Sequence, residues 1–219
     1  MTIKTSNLGK RFNREWIFKG LTTEFAAGNI YAITGPNGSG KSTLMQVLWG
    51  QIPSSEGDIK YSLNGLEIPI EDIFRHISLA APYMELLEEF TLLEQVRFHF
   101  RFKLPINKLK SEEIIERMQM EASIHKPIKQ FSSGMKQRLK LSLAIFSDAP
   151  ILFLDEPTTN LDARAADWYM ANLMTIKAEK LVFIASNQHT DFPEMATVIN
   201  LSDLKAVTNG KQLSIQANI

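Results

Sequence analysis

Gly35-Pro36-Asn37-Gly38-Ser39-Gly40-Lys41-Ser42-Thr43 decides how this chain must fold. It reads G-x-x-x-x-G-K-S, the phosphate-binding loop (P-loop) that joins a strand to a helix. Both flanks fit. Asn29 to Thr34 (Asn-Ile-Tyr-Ala-Ile-Thr) is a short apolar, β-branched run that predicts a buried strand. Thr43 to Trp49 then carries Leu44, Val47 and Leu48 at helical spacing. The glycines at 35, 38 and 40 let the backbone turn successive N–H groups toward an anion. The helix start adds unpaired N–H groups and the positive end of its dipole. Lys41 supplies a point charge for β- and γ-phosphates, and the Ser42 hydroxyl is placed to ligate Mg²⁺. A lone glycine pattern fits an ordinary turn, but the full match between a strand and a helix predicts nucleoside triphosphate binding.

Upstream, the pattern predicts short strands at Thr2–Leu8, Trp16–Phe18 and Leu21–Phe25, with Ala27-Gly28-Asn29 as the turn before the P-loop strand. Phe12 stands in the polar stretch Lys10–Arg14, read as a turn. An aromatic there either stacks on a base or covers an edge of the core. Downstream, Asp58–Leu63 and Leu66–Ile68 flank Asn64-Gly65, a two-residue hairpin signal. The β-rich character ends near Leu79. From 83 to 130 the style turns helical. Thr91-x-x-Glu94 is a capping box before Leu92, Leu93, Val96 and Phe100, and Ser111-Glu112-Glu113 opens a second helix. Phe98, Phe100 and Phe102 alternate at period two and leave the end of the first helix loosely defined.

Ser132-Ser133-Gly134 precedes an apolar helical stripe of Leu139, Leu143 and Phe146. Such a start suits an anion, yet taken alone plain capping explains it. Ile151-Leu152-Phe153-Leu154 then runs into Asp155-Glu156-Pro157. Buried acids are costly unless cations or donors meet them. Beside a P-loop, Asp155 can hold Mg²⁺ through water, and Glu156, on the other face, can polarise an attacking water. Asp162–Lys177 is read as a helix with Ala166, Tyr169, Leu173 and Ile176 on one face. Leu181–Ala185 is read as a buried strand ending in Ser186-Asn187-Gln188, and Thr197–Leu201, Leu204–Thr208 and Gln212–Ile215 as further strands, the last after an Asn209-Gly210 turn.

Composition narrows the class. The chain has 219 residues, 44% hydrophobic, enough for one sizeable unit or two subdomains. With 24 Lys+Arg against 24 Asp+Glu, no overall field favours nucleic acid. The absence of cysteine excludes disulfides and thiolate metal sites and fits a reducing compartment. The four histidines have no ligand spacing. Neither a signal-peptide pattern nor a run near the ~20 apolar residues of a membrane helix is present, so a soluble intracellular chain is expected.

P-loop, serine-glycine helix start and Phe-Leu-Asp-Glu-Pro strand, in this order, resemble the ATP-binding cassette (ABC) transporter ATPases along essentially the whole chain. Phe131-Ser132-Ser133-Gly134-Met135 lies where that family carries its Leu-Ser-Gly-Gly-Gln signature, and Asn160-Leu161-Asp162 resembles the loop that crosses to a partner cassette. Phe12 falls where the family stacks an aromatic on adenine. The resemblance implies an α/β fold: a P-loop NTPase core with a mixed sheet, a small antiparallel β subdomain and an α-helical subdomain near 83–146, within a single domain spanning 1–219. It implies ATP and Mg²⁺ as cofactors, Gly35–Thr43 and Phe12 as the nucleotide site, and Ser42 and Asp155 at the metal. Glu156 and Asn187 take the catalytic positions, with Ser132–Met135 acting on a partner's ATP. It further implies a homodimer or heterodimer of cassettes docked head to tail, membrane-spanning permease subunits on a separate chain, a cytoplasmic location peripheral to the membrane, and no nucleic-acid partner. Three features depart from the family pattern. No glutamine occurs in Ala80-Ala81-Pro82-Tyr83, Ser133 and Met135 replace a glycine and the glutamine of the signature, and Asn187 replaces the switch histidine, with His189 two positions on. These leave ATP binding in place and favour, as an alternative, a nucleotide-gated binding module with slow hydrolysis.

Overall fold

The computed structural model describes residues 1–205 and 213–214. Strands β1 (Thr2–Phe12) and β2 (Glu15–Ala26) form a long antiparallel hairpin. Sequence reading cut this hairpin into three pieces. Its register shifts on either side of Leu8 and Lys10, opposite Gly20 at φ 76°, so the interruptions are bulges and the ladder continues past them. Phe12 is accordingly the last residue of β1, paired with Glu15, and the turn is only Asn13-Arg14. β4 (Glu56–Leu63) adds to β1, and β5 (Leu66–Ile68) closes on β4 through Asn64 and Gly65, both at positive φ as a tight hairpin requires. β10 (Leu213–Ser214) lies parallel to β2 on the outer edge.

The second sheet runs β6 (Ile77–Ala80), β7 (Ile151–Asp155), β8 (Leu181–Ala185), β3 (Ile30–Thr34) and β9 (Thr197–Asn200), and its described pairs are all parallel. The antiparallel pairs of this α/β fold are thus gathered in the other sheet. Alternate residues of the parallel strands feed two cores. Ile151, Phe153, Leu181 and Phe183 pack toward α1 (Lys41–Leu48) and the antiparallel sheet. Leu152, Leu154, Val182 and Ile184 pack toward the helices of the opposite side. Each such side chain contributes about 1.5–3 kcal/mol through burial, which explains why β7 and β8 read as unbroken apolar runs.

On that opposite side stand α2 (Leu92–His99), α3 (Ser111–Arg117), α4 (Ser133–Ile145) and α5 (Ala163–Ile176). Thr91 and Glu94 form the capping box of α2, the Thr91 N–H donating to Glu94 Oε2 at 2.8 Å. That helix stops at His99, and the rings of Phe98 and Phe102 meet at 5.2 Å across the following turn, so the alternating phenylalanines mark no strand. α3 opens at Ser111 with Glu112 and Glu113 in its first turn, and Glu113 Oε2 accepts the N–H of Lys110, the residue before the helix, at 2.6 Å. On α5 it is Ala165 rather than Ala166 that joins Trp168, Tyr169, Leu173 and Ile176 in the core.

The start of the expected strand Leu204–Thr208 is helical. Leu201–Lys205 forms α6, started by Asn200 Oδ1 accepting from the Ser202 N–H at 3.0 Å. Leu201 and Leu204 are buried one turn apart, a helical spacing that a strand would have split between faces. Residues 206–208 of that expected strand, the Asn209-Gly210 turn, Gln212 and Ile215 lie outside the described residues. Among the described residues no helix is long and apolar enough to cross a membrane.

Candidate functional site

The end of β3 delivers the P-loop to α1. Gly40 sits at φ 107°, and a Cβ there would stand 2.0 Å from Ile17 Cγ2 on the hairpin, so only glycine fits. The Ser39 N–H turns inward onto the Pro36 carbonyl at 3.0 Å, and the helix ladder begins with Leu44 onto Gly40 at 2.9 Å. The N–H groups of Lys41, Ser42 and Thr43 therefore have no partner one turn back, and no side chain caps this helix. The buried hydroxyl of Ser39 also finds no hydrogen-bond partner. These are the donors an anion would meet.

Three strand ends converge on this loop. Lys41 Nζ donates to the Gly35 carbonyl at 2.9 Å and to Asn187 Oδ1 at 2.9 Å, and it stands 3.8 Å from Glu156 Oε1. Ser42 Oγ donates to Asp155 Oδ2 at 2.7 Å. Asn187, two residues beyond β8, also donates from Nδ2 to Asn37 Oδ1 at 2.6 Å. It thereby spans the loop from Asn37 to Lys41. His189 takes no part in this and places its ring against Phe192 at 5.7 Å. A cleft of about 440 Å³ is lined by Asn37, Gly38, Gly40, Lys41, Ser42 and Thr43 together with Asp155, Glu156, Ile17, Pro82 and Tyr83. The hairpin lines it with Ile17; Phe12 stands apart at the strand end, 49% exposed, with Lys10 Nζ 5.0 Å over its ring.

Glu156 is held in a left-handed conformation, φ 48°, which a residue other than glycine rarely adopts unless its surroundings impose it. Its N–H donates to the Ala185 carbonyl at 2.9 Å, and Gln137 Nε2 from α4 donates to the Pro157 carbonyl at 2.9 Å. Behind it, Ser186 Oγ lies 3.3 Å from Glu156 Oε2 and donates to Asp191 Oδ2 at 2.5 Å. The sequence carries no signal that relates Gln137, Ser186 and Asp191 to Glu156. Only their positions in space relate them to Glu156, and no spacing rule reveals that.

Burial raises the Asp155 carboxyl above its ordinary value, opposed by the Ser42 hydroxyl and the Lys41 charge. Glu156 is raised too, first by burial, with Lys41 opposing and the charges of Asp191 and Asp155 adding. A carboxylate pushed toward holding a proton is suited to taking one from water. The donor set fits Mg²⁺: Ser42 and Asp155 offer adjacent hard oxygens, one of them on a carboxylate 4% exposed. Among the described residues no group of three acids, histidines or cysteines lies together, so such an ion would take its other ligands from phosphate and water.

The serine-glycine start of α4 forms a second, separate cleft. Ser132 Oγ caps the helix by accepting the Met135 N–H at 3.2 Å. A Cβ on Gly134 would stand 2.8 Å from the Asn160 carbonyl oxygen, so glycine permits the helix to press on the Asn160–Asp162 loop. Ser132, Ser133, Gly134, Met135, Arg138, Asn160 and Asp162 line about 430 Å³ that includes no P-loop residue.

A family model described as ABC transporter matches residues 18–159. Among curated proteins, an uncharacterized ABC transporter ATP-binding protein of Bacillus subtilis, YybJ, is 27% identical over 218 residues, 99% of this chain and 97% of that protein. A second from the same organism, YcbN, is 29% identical over 73% of this chain, which spans only 52% of its length. Among solved structures, the dimeric form of the bacterial ABC transporter cassette MJ0796 aligns with a TM-score of 0.73 over 91% of this chain and 94% of that one. At 21% identity that likeness establishes the shared fold.

Proposed function

Because this chain belongs to the ABC transporter family, we propose that it binds and hydrolyses ATP as one of a head-to-tail pair of cassettes that drives membrane-spanning subunits on separate chains. One observation carries the reading. The uncapped start of α1, Lys41, the Ser42–Asp155 pair and Glu156 face a single cleft. The N–H groups of the loop and the Lys41 ammonium bind the β- and γ-phosphates. The exposed ring of Phe12 offers adenine a stacking face. Ser42 and Asp155 would hold Mg²⁺, which neutralises phosphate charge when bound. Glu156 orients a water toward the γ-phosphorus and takes its proton. In this reading residues 1–219 act as one ATP-binding domain, with 83–146 as its helical part.

Pairing is supported by the separation of the two clefts. Ser132–Met135 share no cavity with the P-loop of their own chain, which supports their meeting a triphosphate held by a second cassette. A dimer offers ATP both helix starts and a monomer only one, so ATP favours the dimer by mass action. That a solved cassette of the same fold is dimeric supports pairing. The alternative, a nucleotide-gated cassette that hydrolyses slowly, is favoured by the neutral amide of Asn187 over the loop.

Glu156→Gln decides between them. It keeps shape and hydrogen bonding but cannot take the proton. ATP affinity is expected within twofold of wild type, phosphate release is expected to fall about 100-fold or more, and light scattering is expected to show an ATP-stabilised dimer. Turnover at the wild-type rate would remove Glu156 from the mechanism. A wild-type chain already as slow as the variant would leave the gated cassette.

A further inference from the structure

Behind Glu156 lies a carboxylate that nucleotide binding does not explain. Asp191 has no exposed surface, and a buried acid is unfavourable unless donors meet it. Two hydroxyls do so, from the two segments that flank Glu156. Ser186 Oγ, just past β8, donates to Oδ2 at 2.5 Å, and Thr158 Oγ1, two residues past Glu156, donates to Oδ1. The backbone of Asp191 is fixed as well. Tyr169 of α5 donates its hydroxyl to the Asp191 carbonyl at 2.9 Å, and the Asp191 N–H donates to the Gln188 carbonyl at 3.1 Å.

The hydrogen count at Ser186 matters. A serine hydroxyl has one proton and two lone pairs. The proton goes to Asp191, and one lone pair accepts the Gln188 N–H at 3.0 Å. What remains for Glu156 Oε2, 3.3 Å away, is a lone pair. An ionised carboxylate gains little from that neighbour, whereas a protonated one donates to it. We propose that Asp191 and Ser186 are positioning residues for ATP hydrolysis, the first orienting the second so that Glu156 is aimed at water and received once it carries the proton.

The step balances. The water oxygen bonds to the γ-phosphorus as the bond from phosphorus to the β–γ bridging oxygen breaks, its electron pair leaving on ADP. One water proton moves to Glu156, and the other stays on the phosphate. The new carboxyl O–H donates to Ser186 Oγ. Through Thr158 the same Asp191 holds the turn after Glu156, where the Leu161 N–H donates to the Thr158 carbonyl at 2.9 Å, so the loop read as crossing to a partner is tied to the same carboxylate.

This inference rests on the proposed role of Glu156, and the experiment separates the two. Ser186→Ala, Ser186→Thr and Asp191→Asn are made in the full chain, alone and with Glu156→Gln, and steady-state phosphate release yields kcat and KM. Ser186→Ala is expected to lower kcat about tenfold, the loss of one well-placed hydrogen bond, with KM for ATP within twofold. Ser186→Thr, which keeps the hydroxyl, restores most of the rate. In the Glu156→Gln background Ser186→Ala changes the residual rate by less than twofold, because the group it serves is gone. Asp191→Asn follows Ser186→Ala or exceeds it. If that variant does not melt as wild type does, the smaller Ser186→Ala change carries the test. Full activity of Ser186→Ala beside an inactive Glu156→Gln overturns this inference alone, as does a tenfold loss that persists undiminished in the Glu156→Gln background. Wild-type turnover by Glu156→Gln overturns the reading of Glu156 and this one with it.

Discussion

Two helices of this molecule begin with serine and glycine, and they begin differently. α4 closes its own start, with Ser132 Oγ accepting the Met135 N–H. α1 has no side-chain cap, and instead a lysine and the Ser42–Asp155 pair crowd its first turn. An uncapped, dipole-positive helix end beside a buried ammonium needs an anion to be satisfied. A capped end does not, and gains from an anion only when one is brought to it. The contrast assigns the two starts to unequal duties. In the proposed function, α1 is the start that binds the triphosphate, and α4 the one that completes a site on a second chain.

The most damaging attack on this contrast removes Lys41. Its ammonium bonds within the loop and faces the same cleft as Ser42, Asp155 and Glu156. Lys41→Ala deletes a charge-assisted contact of about 1.5–3 kcal/mol, so ATP affinity measured by calorimetry is expected to fall roughly 10- to 100-fold. Affinity within a few-fold of wild type would mean that α1 is not the primary anion site, and the contrast would fail.

A smaller effect is expected at the other start. The methyl of Gly134→Ala would meet the Asn160 carbonyl oxygen at 2.8 Å and push α4 off the Asn160–Asp162 loop. ATP affinity of the isolated chain is expected to stay within twofold, while turnover falls about tenfold, a displacement cost of about 1.4 kcal/mol in the transition state. Lost affinity with retained turnover would reverse the duties of the two helices.

Legibility in the sequence follows the range of the forces. The P-loop, the acid pair at the end of β7, the Asn64-Gly65 hairpin and the Thr91 capping box were readable because each is set within a few residues. The β1–β2 hairpin was not, because its bulges near Leu8 and Lys10 break the alternation that marks a strand while the ladder continues. The helix Leu201–Lys205 hid between the expected strands Thr197–Leu201 and Leu204–Thr208, because five residues leave one turn of periodicity, here Leu201 and Leu204. Ser186 and Asp191 carried no local signal at all. Their relation to Glu156 exists only where β7 and β8 lie side by side, with the Glu156 N–H donating to the Ala185 carbonyl at 2.9 Å.

The finest adjustment to the contrast concerns Asn187, which binds α1's loop and has no counterpart at α4. Its amide orientation follows from its partners, since a lysine ammonium can only donate and so must face Oδ1, leaving Nδ2 for Asn37. Asn187 thus steadies Lys41 and the loop but can neither carry charge nor move a proton. A protonated histidine there would stabilise developing negative charge on the γ-phosphate. A charge-assisted hydrogen bond exceeds a neutral one by about 1 kcal/mol, and about 1.4 kcal/mol is tenfold in rate. Asn187→His is therefore expected to raise phosphate release at saturating ATP several-fold, with ATP affinity little changed. Asn187→Ala, which removes one partner of Lys41, is expected to lower it by a similar factor. If the alanine variant is unimpaired and the histidine variant no faster, Asn187 serves only to close the loop after β8, and the catalytic difference between the two helix starts rests on Lys41 and Glu156 alone.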